Sequence, residues 1–121
     1  MVRIIVCGSR TFNDKALFDT KMDEILHHYL PDIEIISGRA RGADTLGEQY
    51  AKAHNIPLVM FPAQWNIYGK SAGYRRNAQM LDYAKQSAPV VIAFWDGTSR
   101  GTKNMIDTAK KAGAIVHIIN Y

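Results

Sequence analysis

Five short apolar runs, largely β-branched, punctuate the chain at residues 2–7, 33–36, 57–61, 89–95 and 114–119, and each reads as a strand. The runs are nearly continuous, the pattern of strands covered on both faces. Between them the apolar spacing shifts to three and four. Leu17, Phe18, Met22, Ile25, Leu26, Tyr29 and Leu30 form one such stripe, capped by Asn13 or Asp14 and ended by Pro31. A second helix is predicted from about Ala43 to His54, and a third from about Ser71 to Lys85, with Met80, Leu81 and Ala84 facing inward. A last helix runs from near Arg100 to Gly113, where Lys110 and Lys111 suit the carboxyl end of the helix dipole. Strict alternation of strand and helix predicts an α/β fold: a three-layer, doubly wound domain with a five-stranded parallel sheet, helices on both faces and right-handed crossovers.

With 121 residues, 47% of them hydrophobic, the chain suits one compact domain spanning 1–121. No linker or repeat divides it. The connection between Phe61 and Ser71 is longer than its neighbours and holds Pro62, Trp65 and Tyr68, as a lid, a pocket wall or a plain surface excursion. A single cysteine, Cys7, excludes an intramolecular disulfide framework or a cysteine-rich zinc site. The first eight residues are apolar only over a strand's length, so neither a signal peptide nor a membrane span is expected, and the expected location is cytoplasmic.

A formal charge of +4 is modest, and its distribution carries more information than its sum. Eight of the 15 basic residues, Arg10, Arg39, Arg41, Lys70, Arg75, Arg76, Arg100 and Lys103, lie in or beside four glycine-bearing loops. These are Gly8-Ser9-Arg10; Ser37 to Asp44, with Gly38, Arg39, Arg41 and Gly42; Tyr68 to Asn77, with Lys70, Arg75 and Arg76; and Asp96 to Thr102, with Gly97, Ser99, Arg100 and Gly101. In a parallel sheet such loops converge on one edge, and a glycine turn before a helix lets a phosphate approach the outward-pointing amides. Arg100 could add a bidentate contact, and Ser99 or Thr102 could cap the helix or donate to phosphate. Asp44 is a ribose-hydroxyl acceptor, a loop anchor or simply a dipole-favoured early helix acid. Trp65, Tyr68, Tyr74 and Trp95 could stack on a base, and Cys7 reads as buried apolar filling.

Several motifs fail. Gly69-Lys70-Ser71 mimics the end of a P-loop, but Gln64 stands where its first glycine belongs. No GxGxxG follows the first strand. His27 and His28 are adjacent, while His54 and His117 stand apart, so no metal site is expected.

Taken together, GSRTF at 8–12, SGRARGAD at 37–44, PAQWNIYGKSAGYRRNAQM at 62–80 and FWDGTSRGT at 94–102 resemble the YspA-like branch of the SLOG superfamily over nearly the whole chain. The resemblance implies a Rossmann-like nucleotide-binding domain related to the LOG phosphoribohydrolases, the DNA-processing protein DprA and molybdenum-cofactor carriers, and a homodimer or higher homo-oligomer. In the LOG enzymes a GGxGTxxE segment holds phosphate and supplies a glutamate, and an arginine on the preceding helix completes the site. Here Gly97, Gly101 and Thr102 take the glycine and threonine positions and Arg76 that of the arginine, while Met105 occupies the glutamate position. The expected activity is therefore binding of a nucleotide or nucleotide derivative, ADP-ribose-like or a nucleoside phosphate, with no separate cofactor. The expected contacts are Gly8, Ser9, Arg10, Ser37, Gly38, Arg41, Gly42, Asp44, Trp65, Lys70, Arg76, Asn77, Asp96, Gly97, Ser99, Arg100, Gly101 and Thr102. The alternative is a hydrolase that cleaves the N-glycosidic bond of a nucleoside 5′-monophosphate, with Arg76 gripping phosphate and Asp44 or Asp96 stabilising the sugar cation. The third reading, single-stranded nucleic-acid binding, is disfavoured by the modest and localised charge.

Overall fold

The computed structural model describes all residues, 1–121. Five strands, β1 (Val2–Gly8), β2 (Ile33–Ser37), β3 (Leu58–Met60), β4 (Ala88–Trp95) and β5 (Ile115–Asn120), form one sheet in the order β3-β2-β1-β4-β5. Every pairing is parallel. Helices α1 (Lys15–Leu26) and α2 (Ala43–Ala53) cover one face, and α4 (Ala72–Ala84) and α5 (Arg100–Lys111) the other. The single-turn α3 (Trp65–Tyr68) and a 3-10 turn (Gly69–Ser71) precede α4. The architecture is the three-layer, Rossmann-like α/β fold expected from the alternating pattern.

Alternating faces of the central strands build two cores. Ile4 and Val6 of β1 pack with Phe18, Met22 and Leu26 of α1 and with Phe94, while Ile5 and Cys7 face Met80 and Leu81 of α4 and Met105 and Ile106 of α5. The side chains of β1, β2 and β4 are buried on both faces because these central strands lie between the helices of the two outer layers. The edge strands are only partly covered.

α1 differs from expectation at its end. Asp14, not Asn13, is the cap, accepting from the Leu17 amide at 3.0 Å. The helix stops at Leu26, short of Pro31, and 27–30 continue as hydrogen-bonded turns, the His28 amide reaching the Ile25 carbonyl at 3.3 Å and the Tyr29 and Leu30 amides the Leu26 carbonyl at 2.9 Å, before the proline ends them. α5 ends as expected, with Gly113 at φ +81°. Its amide reaches the Lys110 carbonyl at 3.1 Å, and the Ala114 amide the Ala109 carbonyl at 3.0 Å. The 61–71 segment is long because β3 and β4 are separated by β2 and β1, a lateral crossing of about 14 Å at strand spacing. No helix is long and apolar enough to cross a membrane.

Candidate functional site

The chain moves outward from β1 to β3, then returns to place β4 on the other side of β1. The loops after β1 and β4 therefore leave neighbouring strands toward opposite faces, and a crevice opens where they part. It is a cleft of about 300 Å³. Gly8, Ser9, Arg10 and Thr11 line it from the first loop, Ala40 and Asp44 from the second, Arg76 and Asn77 from α4, and Asp96, Ser99, Gly101 and Thr102 from the last. Cys7, Met80 and Met105 supply its apolar lining.

Two further clefts share Arg10 and Arg76 with it. One, about 340 Å³, lies between Gly38–Arg41 and Pro62–Trp65. The other, about 190 Å³, is bounded by Trp65, Lys70, Gly73, Tyr74, Asn77 and Gly101. The α3 segment is thus a wall between clefts, and the Arg10 guanidinium sits 5.8 Å from the Trp65 ring centroid.

Arg76 is tied down before any ligand arrives. Its Nη1 donates to the Gly38 carbonyl and its Nε to Asn77 Oδ1 at 3.1 Å. Glycine at 38 leaves room for this contact, since a Cβ there would stand 2.7 Å from Nη1 and push the guanidinium aside. Buried Asn77 carries the bracing onward, its Nδ2 donating to the Gly101 carbonyl and to Asn104 Oδ1, each at 3.1 Å. The guanidinium is thereby fixed where α4 and α5 meet. Burial lowers its proton affinity; Asp44 opposes that effect and Arg10 adds to it.

Asp44, in the first turn of α2, is buried and accepts from the Ala40 amide at 3.2 Å. Burial pushes its carboxyl up to about 6; the Ala40 amide and Arg76 pull against the rise and Glu48 adds to it. A cleft carboxyl that changes charge near neutrality beside an arginine is equipped to accept a ligand hydroxyl or to move a proton. Burial likewise drives the Cys7 thiol far up, so it is no nucleophile at neutral pH.

The second loop is built by residues behind the cleft. Glu48 accepts from Ser37 Oγ and from Arg39 Nη1, each at 2.6 Å, and Ser37 Oγ in turn accepts the Arg39 amide at 3.1 Å. These bonds hold Arg39 at φ +64°, a left-handed backbone that costs a non-glycine residue about 1 kcal/mol. Gly42 follows at φ +78°, and a Cβ on it would lie 2.3 Å from the Ser9 carbonyl oxygen.

The last loop is an Asx turn. Asp96 Oδ1 accepts the amides of Thr98 at 2.9 Å and Ser99 at 2.8 Å, and these bonds, Ser99's first, hold its carboxyl below the usual range. Ser99 Oγ and Thr102 Oγ1 bond each other at 3.1 Å. The amides of Arg100, Gly101 and Thr102 have no protein acceptor, which concentrates partial positive charge beside the cleft.

Gly8, Ser9, Arg10, Gly38, Arg41, Asp44, Trp65, Lys70, Arg76, Asn77, Asp96, Ser99, Gly101 and Thr102 therefore come together around the three clefts. Ser37, Gly42, Gly97 and Arg100 do not line them: Ser37 and Gly42 shape the second loop, Gly97 turns the last one at φ +86°, and Arg100 is exposed outside. Trp95 braces the same loop, its Nε1 donating to the Ser99 carbonyl at 3.0 Å. Sequence reading missed Thr11, Ala40, Ala63 and Gly73 as lining residues and read Cys7 and Met80 as core alone, while Pro62 lies in the segment it offered as a pocket wall. Only their position beside expected contacts could have flagged them.

Residues 2–68, more than half the chain, match the YspA, cpYpsA-related SLOG family. Over 127 aligned positions, which take in all of this chain and 97% of the relative, the sequence is 33% identical to the gene 61 protein of Mycobacterium phage D29. No solved structure matches the chain. The family match begins at the first strand and takes in β1 and the segments after β1 and β2, which supply seven of the fifteen residues lining the central cleft, and the chain belongs to the YspA, cpYpsA-related SLOG family.

Proposed function

We propose that residues 1–121 act as one nucleotide-binding domain, taking a nucleoside phosphate or ADP-ribose-like molecule at the carboxyl edge of the sheet, as a sensor, carrier or sequestering protein. The observation that carries this reading is the convergence of Arg10 and Arg76 on all three clefts, opposite the acceptor-free amides at the start of α5. Phosphate oxygens are the acceptors that such a set of donors suits. Half-exposed Trp65 offers a stacking face in the same groove, and SLOG membership suggests nucleotide-related binding in general. Calorimetry with AMP, ADP-ribose, NAD and cyclic nucleotides tests the reading. At least one should bind saturably, and Arg76→Ala should weaken it by roughly tenfold or more, as loss of a charge-assisted contact does. Silence across the whole panel refutes it.

Asp44 favours a second reading, N-glycosidic hydrolysis of a nucleotide. It is the buried cleft carboxyl, whereas exposed Asp96 spends one oxygen on the Asx turn. Ionised, Asp44 would stabilise the oxocarbenium character that develops as the bond to the base breaks and water takes its place at the sugar carbon. Chromatography should then show base release that is lost in Asp44→Asn while binding persists. Binding without release from any nucleotide rejects this reading.

A further inference from the structure

Charge is divided unevenly among the three clefts. Asp44 and Asp96 line the central one, and no acid lines the outer cleft between the 38–41 loop and Trp65. Arg10, Arg39, Arg41 and Arg76 all do. Arg39 is neutralised by Glu48 at 2.6 Å, and Arg76 feels Asp44 from the central side. Arg10 and Arg41 form no ion pair at all. Arg39 and Arg41 on the second loop stand with Arg10 and Arg76 around this cleft, and their mutual repulsion opposes folding; the loop is held against it by the ties of Arg39 to Glu48 and Ser37, of Ala40 to Asp44 and Thr45, and of the Gly38 carbonyl to Arg76. An anion seated among them would relieve the repulsion with the planar, bidentate contacts that guanidinium favours. At about 340 Å³ the outer cleft is as roomy as the central one.

Building on the nucleotide reading above, we infer that the outer cleft is a second anion subsite, so that the preferred ligand carries a further phosphate beyond the one at the α5 amides. The class is a nucleoside diphosphate or a nucleoside bisphosphate, with Arg41, which lines the outer cleft alone, as the contact that distinguishes it from a monophosphate. Whether the second phosphate adjoins the first or stands across the sugar is read by two separate probes.

The experiment is calorimetry of AMP, ADP and adenosine 3′,5′-bisphosphate against the parent chain, Arg41→Ala and Lys111→Ala. Arg41 is exposed and unpaired, so its removal leaves the fold intact, and Lys111, at the far end of α5, controls for total charge. ADP or the bisphosphate should bind the parent about tenfold or more tightly than AMP. Arg41→Ala should cut that advantage to about threefold or less, weakening the doubly phosphorylated probe more than AMP, while Lys111→Ala preserves it. The inference falls if neither probe outbinds AMP, or if the two variants erode the advantage equally, since that is the mark of general electrostatics. AMP binding without the advantage overturns this inference alone; failure of all three probes to bind overturns it too, and the nucleotide reading falls with it when ADP-ribose, NAD and the cyclic nucleotides are silent as well.

Discussion

Asp44→Asn should make the protein more stable at neutral pH, and by an amount that depends on pH. Lifting the carboxyl from 3.8 to about 6 means that the folded chain holds this proton more tightly than the unfolded one. Below about pH 4 both states are protonated and the charge costs nothing; as pH rises the cost grows, and above about 6 it is complete. At 1.36 kcal/mol per pH unit it reaches about 3 kcal/mol. Asparagine keeps an oxygen for the Ala40 amide, now 3.2 Å from Asp44 Oδ2, and carries no charge. Urea unfolding followed by circular dichroism from about pH 4 to pH 8 should show the two proteins nearly equal at the acid end and Asp44→Asn ahead by up to about 3 kcal/mol at the other. An offset that does not change with pH, or a variant that loses ground as pH rises, refutes the claim that Asp44 is held ionised at a cost. A cost of that size, retained in a cleft beside Arg76, is the expected mark of a group kept for a ligand.

A Cβ at Gly101 meets nothing within 4 Å, so Gly101→Ala should fold at least as well, gaining up to about 1 kcal/mol of helix propensity, while the added methyl crowds the α5 amides and weakens AMP binding; thermal melts and calorimetry read the two effects, and undiminished binding contradicts the placement of phosphate there. Gly42→Ala should behave oppositely, destabilising by roughly 2 kcal/mol or more in urea unfolding through the positive φ and the contact with the Ser9 carbonyl, and a neutral result means that the second loop is not held as described.

Strand and helix boundaries were legible because they rest on local pattern. The β-branched runs, the three-to-four spacing and the capping residues act over a few neighbours, so all five strands and the four longer helices fall close to their predicted ranges. The glycine and arginine loops were visible for the same reason, and four motif blocks in order pointed to the family that residues 2–68 match. α3 was not legible: a single turn over Trp65–Tyr68 carries too little periodicity to stand out from a loop.

What the sequence determined by itself was therefore the kind of fold and the inventory of candidate chemistry. Tertiary structure decided which members of that inventory share a cleft. Strand order places the crevice between β1 and β4, and only that order brings Arg10 and Arg76, far apart in sequence, to the same walls while sending Ser37 behind the second loop and Arg100 outside. It likewise separates Asp44 from Asp96, two carboxylates of equal standing as letters, by burying the first and giving the second two backbone amides to hold. Proton affinity follows desolvation and partner geometry, and both arise only when distant segments pack together.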